Sequence, residues 1–186
     1  LERTYGPIKR RGEAAGQHDQ LAARKAFRSV GPSQNRTPAA PPPSGPEYLL
    51  VDGYNVIFAW DELKKIAAEN LDAARRRLMD ILCNYAGYRK CVPILVFDAY
   101  RVKGAGREQE TWHNLHVIYT REAETADMFI ERATHELAKN HRVRVVSSDG
   151  AEQIIILGNG ALRVSARAFE REVRAVEAEI REFLDQ

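Results

Sequence analysis

The sequence predicts an α/β fold, a central and mainly parallel sheet of about five strands with helices on both faces. Two observations carry this reading. From residue 47 onward, short apolar runs alternate with stretches of helical periodicity, the pattern by which a chain joins parallel strands through crossover helices. The runs are also punctuated by acids, with Asp52, Asp98 and Asp149 each following one of them.

Taken in order, YLLV at 48–51 is the first strand, and a helical stretch follows it, broken near Asn70 and carried on by Leu71, Leu78, Ile81, Leu82 and Tyr85. VPILVF (92–97) and LHVIYT (115–120) are the second and third strands. Between Ala126 and Asn140, apolar residues recur at 126, 129, 130, 133 and 137, one face of a helix. VRVVSS (143–148) is a fourth strand, Ala151 to Leu157 a short helix, ALRVS (161–165) a fifth strand, and Ala166 to Leu184 an amphipathic closing helix.

Ahead of these elements, residues 31–46, GPSQNRTPAAPPPSGP, are dense in Pro, Ser and Gly without apolar periodicity, which reads as an extended linker. Residues 1–30 read as a basic tail, with a short helix over Gln20 to Ser29 too small to bury a core. The folded domain is therefore expected over 47–186. At 44% hydrophobic and 29% charged, the 186 residues suffice for one ordinary core. No early segment joins a basic start to an apolar run and no stretch is long enough to span a membrane, so the expectation is a soluble, cytoplasmic protein without a membrane partner. The start at Leu1 rather than Met suggests a piece of a longer chain. Cys83 and Cys91 lack zinc-site spacing and cannot form a disulfide framework.

The net charge of +2 is unevenly spread, with eight Lys or Arg against three acids in residues 1–46 and twenty against twenty-three in the remainder. A basic arm on a mildly acidic body suggests an arm that touches nucleic acid, a merely solvated tail being the alternative.

In a parallel sheet, ligands gather outside the carboxyl ends of the strands. Asp52 follows YLLV, Asp98 follows VPILVF, Asp149 follows VRVVSS, and Glu124 and Asp127 in ETADMF follow the third strand where its helix begins. Each acid has a bland reading as a turn former or helix starter. Turn chemistry, however, does not require them to fall at one end of the sheet. Like charges so gathered need a cation, and oxygen donors without a His or Cys cluster suit Mg²⁺ or Mn²⁺. The chemistry natural to such a rim is phosphodiester hydrolysis, with Asn55 placed to hold a water or phosphate oxygen.

Between the second and third strands, RVKGAGREQETWHN (101–114) supplies Arg101, Lys103 and Arg107, then Trp112 and His113. Cations for phosphates and aromatics for bases are what single-stranded RNA asks of a loop, against the alternative of an ordinary surface loop. Tyr54, beside Asp52, joins the same RNA-binding set. Gly104-Ala105-Gly106 does not directly follow a strand, and neither G-x-x-x-x-G-K nor G-x-S-x-G occurs, which argues against nucleotide-binding and hydrolase-elbow motifs.

The order VDGYN, VFDAY, ETADMFIE, SSDGAEQ and SARAFEREV closely resembles the YacP-like branch of the NYN family, which shares the three-layer PIN-like nuclease fold, over residues 47 to 184. The resemblance implies a metal-dependent endoribonuclease using Mg²⁺ or Mn²⁺, and in the best understood members one that cleaves messenger RNA on the translating ribosome. By position it implies Asp52, Asp98, Asp127 and Asp149 as metal-holding catalytic acids, with Asn55 and Glu124 supporting them. LERTYGPIKRR (1–11) resembles the end of ribosome-protection GTPases related to elongation factor G, which implies the C-terminal part of a fusion and the ribosome as partner. Rival readings are a catalytically silent module that docks onto RNA or the ribosome, and a nuclease for structured ends. Nothing in the residues sets an oligomeric state.

Overall fold

The computed structural model describes residues 45–98, 109–121, 123–148, 155–156 and 160–185, all within the unit spanning 42–186. The chain runs β1 (Tyr48–Asp52), α1 (Gly53–Ala59), α2 (Asp61–Glu69), α3 (Leu71–Arg89), β2 (Val92–Phe97), β3 (Gln109–Trp112), β4 (Leu115–Tyr119), α4 (Ala126–Leu137), β5 (Val143–Ser147), β6 (Ile155–Ile156), β7 (Leu162–Ser165) and α5 (Ala166–Leu184). The sheet order is β3-β4-β2-β1-β5-β7-β6. Its five inner strands, β4, β2, β1, β5 and β7, are all parallel. These are the five strands read from the sequence. β3 and β6 add to the two edges in antiparallel sense.

Three of the helices begin at polar side chains that cap them. The Asn70 side chain accepts from the Ala73 N–H at 3.0 Å and starts α3; Thr125 accepts from Met128 at 3.3 Å and starts α4; Ser165 accepts from Ala168 at 3.1 Å and starts α5. Such side chains satisfy donors that the first helical turn leaves unpaired. α3 ends at Lys90, whose φ of 53° is left-handed and so stops the helix. Among the described residues, no helix is long and apolar enough to cross a membrane.

Alternation along β1 sends Leu49 and Val51 to one face and Leu50 to the other. The first face is the larger core, where α1, α2, α3 and α5 pack Ile57, Trp60, Leu78, Leu82 and Phe169 against Leu95, Phe97 and Val146. Trp60 Nε1 donates to the Ala166 carbonyl at 2.7 Å, joining the α1–α2 corner to the start of α5 across 106 residues. Arg144 of β5 reaches Glu172 of α5 at 2.6 Å, and Tyr85 of α3 donates to the same carboxylate at 2.7 Å. The second face is covered by α4, through Ala126 and Ile130 over Leu50, Val96 and Val145.

Two expectations need correction. Ile155–Ile156 pair antiparallel with β7, so the helix expected over 151–157 does not include them; two consecutive β-branched residues favour a strand. Residues 109–112, read as part of a loop, form β3, paired with β4 from Gln109↔Ile118 to Trp112↔Leu115.

The start of α1 approaches β2 closely. Gly53, the first residue of α1, sits so close to Phe97 that a Cβ there would overlap the Phe97 ring at Cε1. Phe97 is fully buried between Tyr54 and Tyr119, with ring centroids at 5.1 and 6.0 Å, and cannot swing away cheaply. Gly53→Ala is therefore expected to cost about 1–3 kcal/mol, as overpacking does. In Phe97→Leu protein, urea unfolding is expected to show a much smaller cost for the same change, because the coupling between the two sites disappears.

Candidate active site

Asp52 ends the central strand, with β2 on one side and β5 on the other. It is 5% exposed. Both carboxylate oxygens are engaged by Asn55, whose backbone N–H donates to Oδ1 at 3.1 Å and whose side-chain Nδ2 donates to Oδ2 at 2.9 Å. The D-G-Y-N sequence thus folds into the first turn of α1 with Asp52 as its cap. Burial pushes the Asp52 carboxyl up to about 6; the Asn55 N–H opposes that rise, while the nearby Asp127 and Asp98 carboxylates add to it. Burial and like charges act in the same direction, against the ionised form.

Asp98 follows β2 directly. Its Oδ1 accepts from the Ala126 N–H at 2.7 Å, tying the start of α4 to the rim and fixing Asp127 one residue on. Thr120, at the end of β4, donates from its backbone to the Phe97 carbonyl at 3.0 Å. Asp127 is exposed, and its side chain makes no hydrogen bond or ion pair among the described residues. Glu124 is paired with Arg132 at 2.8 Å, so its charge is already balanced. Asp149 lies outside the described residues, as do Arg101, Lys103 and Arg107.

Asp52, Asp98 and Asp127 are near enough for two of them to oppose the charge of the third. Among the described residues, no three His, Cys, Asp or Glu side chains form a ready cage for a metal ion. Hard oxygen donors without a closed cage suit a divalent ion that keeps several waters and binds through few carboxylates, as Mg²⁺ does. The donor chemistry fits such an ion.

Three residues expected to touch RNA are placed otherwise. Tyr54 is 5% exposed, and its hydroxyl accepts from Arg75 Nη1 at 2.8 Å; a ring packed between Phe97 and Phe58 has no open face for a base. Trp112 pairs with Leu115, at the amino end of β4. At about 3.3 Å per residue that is on the order of 13 Å from the carboxyl rim. Its indole donates to Asp80 at 3.1 Å and packs on the core beside α3. His113 occupies the β3–β4 turn at the same far end, with φ of 53°.

Sequence reasoning missed Arg75, which is 8% exposed, makes an ion pair with Asp72, and lies with its Cζ 6.0 Å from the Phe97 ring centroid. Its signal was available, since Arg75 falls among Ala74, Leu78 and Leu82 on the buried side of α3. Two open grooves flank the first turns of α4. One, of about 880 Å³, is lined by residues including Asp127, Met128, Val145, Ser147 and Arg163. The other, of about 500 Å³, runs past Ile118, Thr120 and Phe129.

Residues 49–186 match the family model of the YacP-like NYN domain. The chain is 44% identical over 135 residues to a Bacillus subtilis (strain 168) protein described as uncharacterized protein YacP, covering 72% of this chain and 79% of the relative. Its fold matches the crystal structure of Rae1 (YacP) from Bacillus subtilis with a TM-score of 0.63 at 42% identity, over 74% of this chain and 79% of the other. The crystal structure of a mutant form of that same protein matches with a TM-score of 0.58 at 40% identity, over 73% and 79%. The α/β architecture described above is this PIN-like fold.

The raised Asp52 carboxyl has a measurable consequence. Between about pH 4 and pH 6 the native protein retains a proton that the unfolded chain has released, so stability falls as pH rises through that window. At neutral pH the charged carboxylate costs at most about 3 kcal/mol. In chelator, Asp52→Asn is expected to raise stability at pH 7.5 by on the order of 1 kcal/mol, with the gain vanishing near pH 4. Adding Mg²⁺ should narrow the difference by stabilising the parent alone. Urea unfolding against pH reads both effects, and an Asp52→Asn protein less stable than the parent at pH 7.5 would contradict them.

Proposed function

The chain belongs to the YacP-like NYN domain family, one of the PIN-like nuclease families, and we propose that it is a metal-dependent endoribonuclease. Its proposed substrate is single-stranded RNA, specifically messenger RNA on the ribosome. The observation that carries the reading is Asp52, a desolvated carboxylate at the tip of the central strand, opposed by Asp98 and Asp127 and pushed up to about 6. A fold gains no stability from that arrangement. It becomes useful when a cation binds there.

In this reading Asp52, Asp98, Asp127 and Asp149 hold a divalent ion, Mg²⁺ or Mn²⁺, directly or through water. Such an ion, when bound, polarises a phosphoryl oxygen and lowers the pKa of a water. The protein's part is positional. Asn55 fixes the Asp52 carboxylate through two hydrogen bonds, so its orientation is set before substrate arrives. Asp98 spends one oxygen on the Ala126 N–H and thereby holds Asp127 on the rim. The reaction assigned is in-line attack of water on an RNA phosphodiester. Arg101, Lys103 and Arg107 supply cationic contacts to the strand. The ribosome as setting rests on the family resemblance and on that of residues 1–11 to the end of ribosome-protection GTPases.

The test is cleavage of a translated messenger by the purified chain with ribosomes and Mg²⁺ or Mn²⁺. Discrete cuts are expected, lost with chelator and reduced at least a hundredfold by Asp52→Asn, a loss on the scale of a key electrostatic contact. Cuts that persist in Asp52→Asn would remove that residue from the site. Ribosome binding without cuts under any condition would favour the silent docking module instead.

A further inference from the structure

We propose that the groove between α4 and strands β5 and β7 is a phosphate-binding subsite for the RNA strand, anchored by Arg163. This rests on the nuclease reading and deepens it by giving the strand a direction away from the rim.

Arg163 is the register partner of Val145, and Val145 faces α4, so the arginine projects on the α4 side of the sheet and lines the larger groove. β7 is two strands from β1 and Arg163 two residues below the level of Asp52. Strand spacings put the two Cα atoms on the order of 12 Å apart, too far to contact the phosphate under attack and near enough to hold another on the same strand. Asp127 lines the same groove, which therefore opens on the acidic rim.

The charge of Arg163 is uncompensated among the described residues. Its Nε donates to Ser147 Oγ at 2.8 Å and its Nη2 to Ser148 Oγ at 3.5 Å, and no carboxylate pairs with it. A guanidinium has five N–H donors, and two neutral hydroxyls leave both the charge and the other donors available. Partly buried arginines ordinarily have an anion beside them, and the fork geometry matches phosphate. Ser147 is 5% exposed, so the hydroxyl that orients the guanidinium is itself held in place. Thr134 on α4 also lines the groove, and its buried Oγ1 makes no hydrogen bond among the described residues. Glu124 on the α4 side is neutralised by Arg132, and the other acids of the groove, Asp127 and Glu131, lie on α4 across from Arg163. Met128 and Ile130 give the groove an apolar lining beside these groups.

The test uses the full 186-residue chain carrying Asp52→Asn, so that RNA is bound but not cut, in chelator and with a single-stranded RNA octamer followed by fluorescence anisotropy across a salt series. Adding Arg163→Gln is expected to weaken binding about tenfold and to reduce the slope of log K against log salt by about 0.7, the value for one phosphate contact on a single strand. Arg163→Lys, which keeps the charge and loses the fork, should retain the slope with part of the affinity. Replacing each phosphate in turn by a neutral methylphosphonate should reveal one position whose loss weakens the Arg163 protein and does nothing further in Arg163→Gln. That scan on the Arg163 protein keeps the test decisive if Arg163→Gln fails to fold, since a scan with no sensitive position overturns the subsite. Unchanged affinity and slope in Arg163→Gln, with RNA still bound and cleavage by the parent intact, would overturn it and leave the nuclease reading standing. A parent chain that neither binds nor cuts RNA would overturn both.

Discussion

The carboxylate of Asp52 is the constraint around which the rest of the domain is arranged. It ends the most central strand, between β2 and β5, and it is almost fully withdrawn from water. A carboxylate so placed must be met by donors, and two come from Asn55 three residues along. That turn works only if α1 starts immediately after β1. An immediate start brings Gly53 against Phe97, where no side chain fits. Phe97 is in turn held by Tyr54 and Tyr119, and Tyr54 by the buried Arg75. The capping turn, the missing side chain and the arginine all serve one placement.

Around that point the fold gathers like charges instead of dispersing them. Asp98 uses its carboxylate to start α4, so the helix that covers the second face also delivers Asp127 to the rim. Glu124 is tied to Arg132. Structural carboxylates and the unpaired Asp127 therefore stand side by side, and the charges of Asp98 and Asp127 both act on Asp52. Native proteins commonly concentrate such local cost where they bind or react. Asp127 and Arg163 line a shared groove, a pairing of charges suited to a cation and a polyanion bound together.

Most of the framework was legible in the residues. The five parallel strands carry continuous apolar runs because both faces are covered, and α5 shows one apolar stripe from Ala166 through Phe169, Val173 and Val176. The acids at strand ends could be located because strand direction fixes which end they occupy. What escaped depends on contacts distant in sequence. Tyr54 looked available beside Asp52, yet Phe97 and Arg75, on other elements, bury it. Trp112 reads as part of one RNA-gripping loop, but Gln109–Trp112 pair antiparallel with β4 and carry the indole to the end of the sheet opposite the acidic rim. QETW is polar and short, so its strand character comes from pairing with β4 and not from its own pattern. Arg163 drew no notice in the sequence, since an arginine in a strand gains meaning only from the serines of the neighbouring strand.

Whether Asp52 is the centre of a cation site is tested by titrating its carboxyl carbon by NMR, first in chelator and then in Mg²⁺. A midpoint near 6 is expected without metal, falling well into the ordinary carboxylate range when Mg²⁺ is present, because a bound cation favours the ionised form. A metal-free midpoint in the ordinary carboxylate range, about 4, that Mg²⁺ leaves unchanged would contradict it, since Asp52 would then be an ordinary helix cap and not the centre of a cation site.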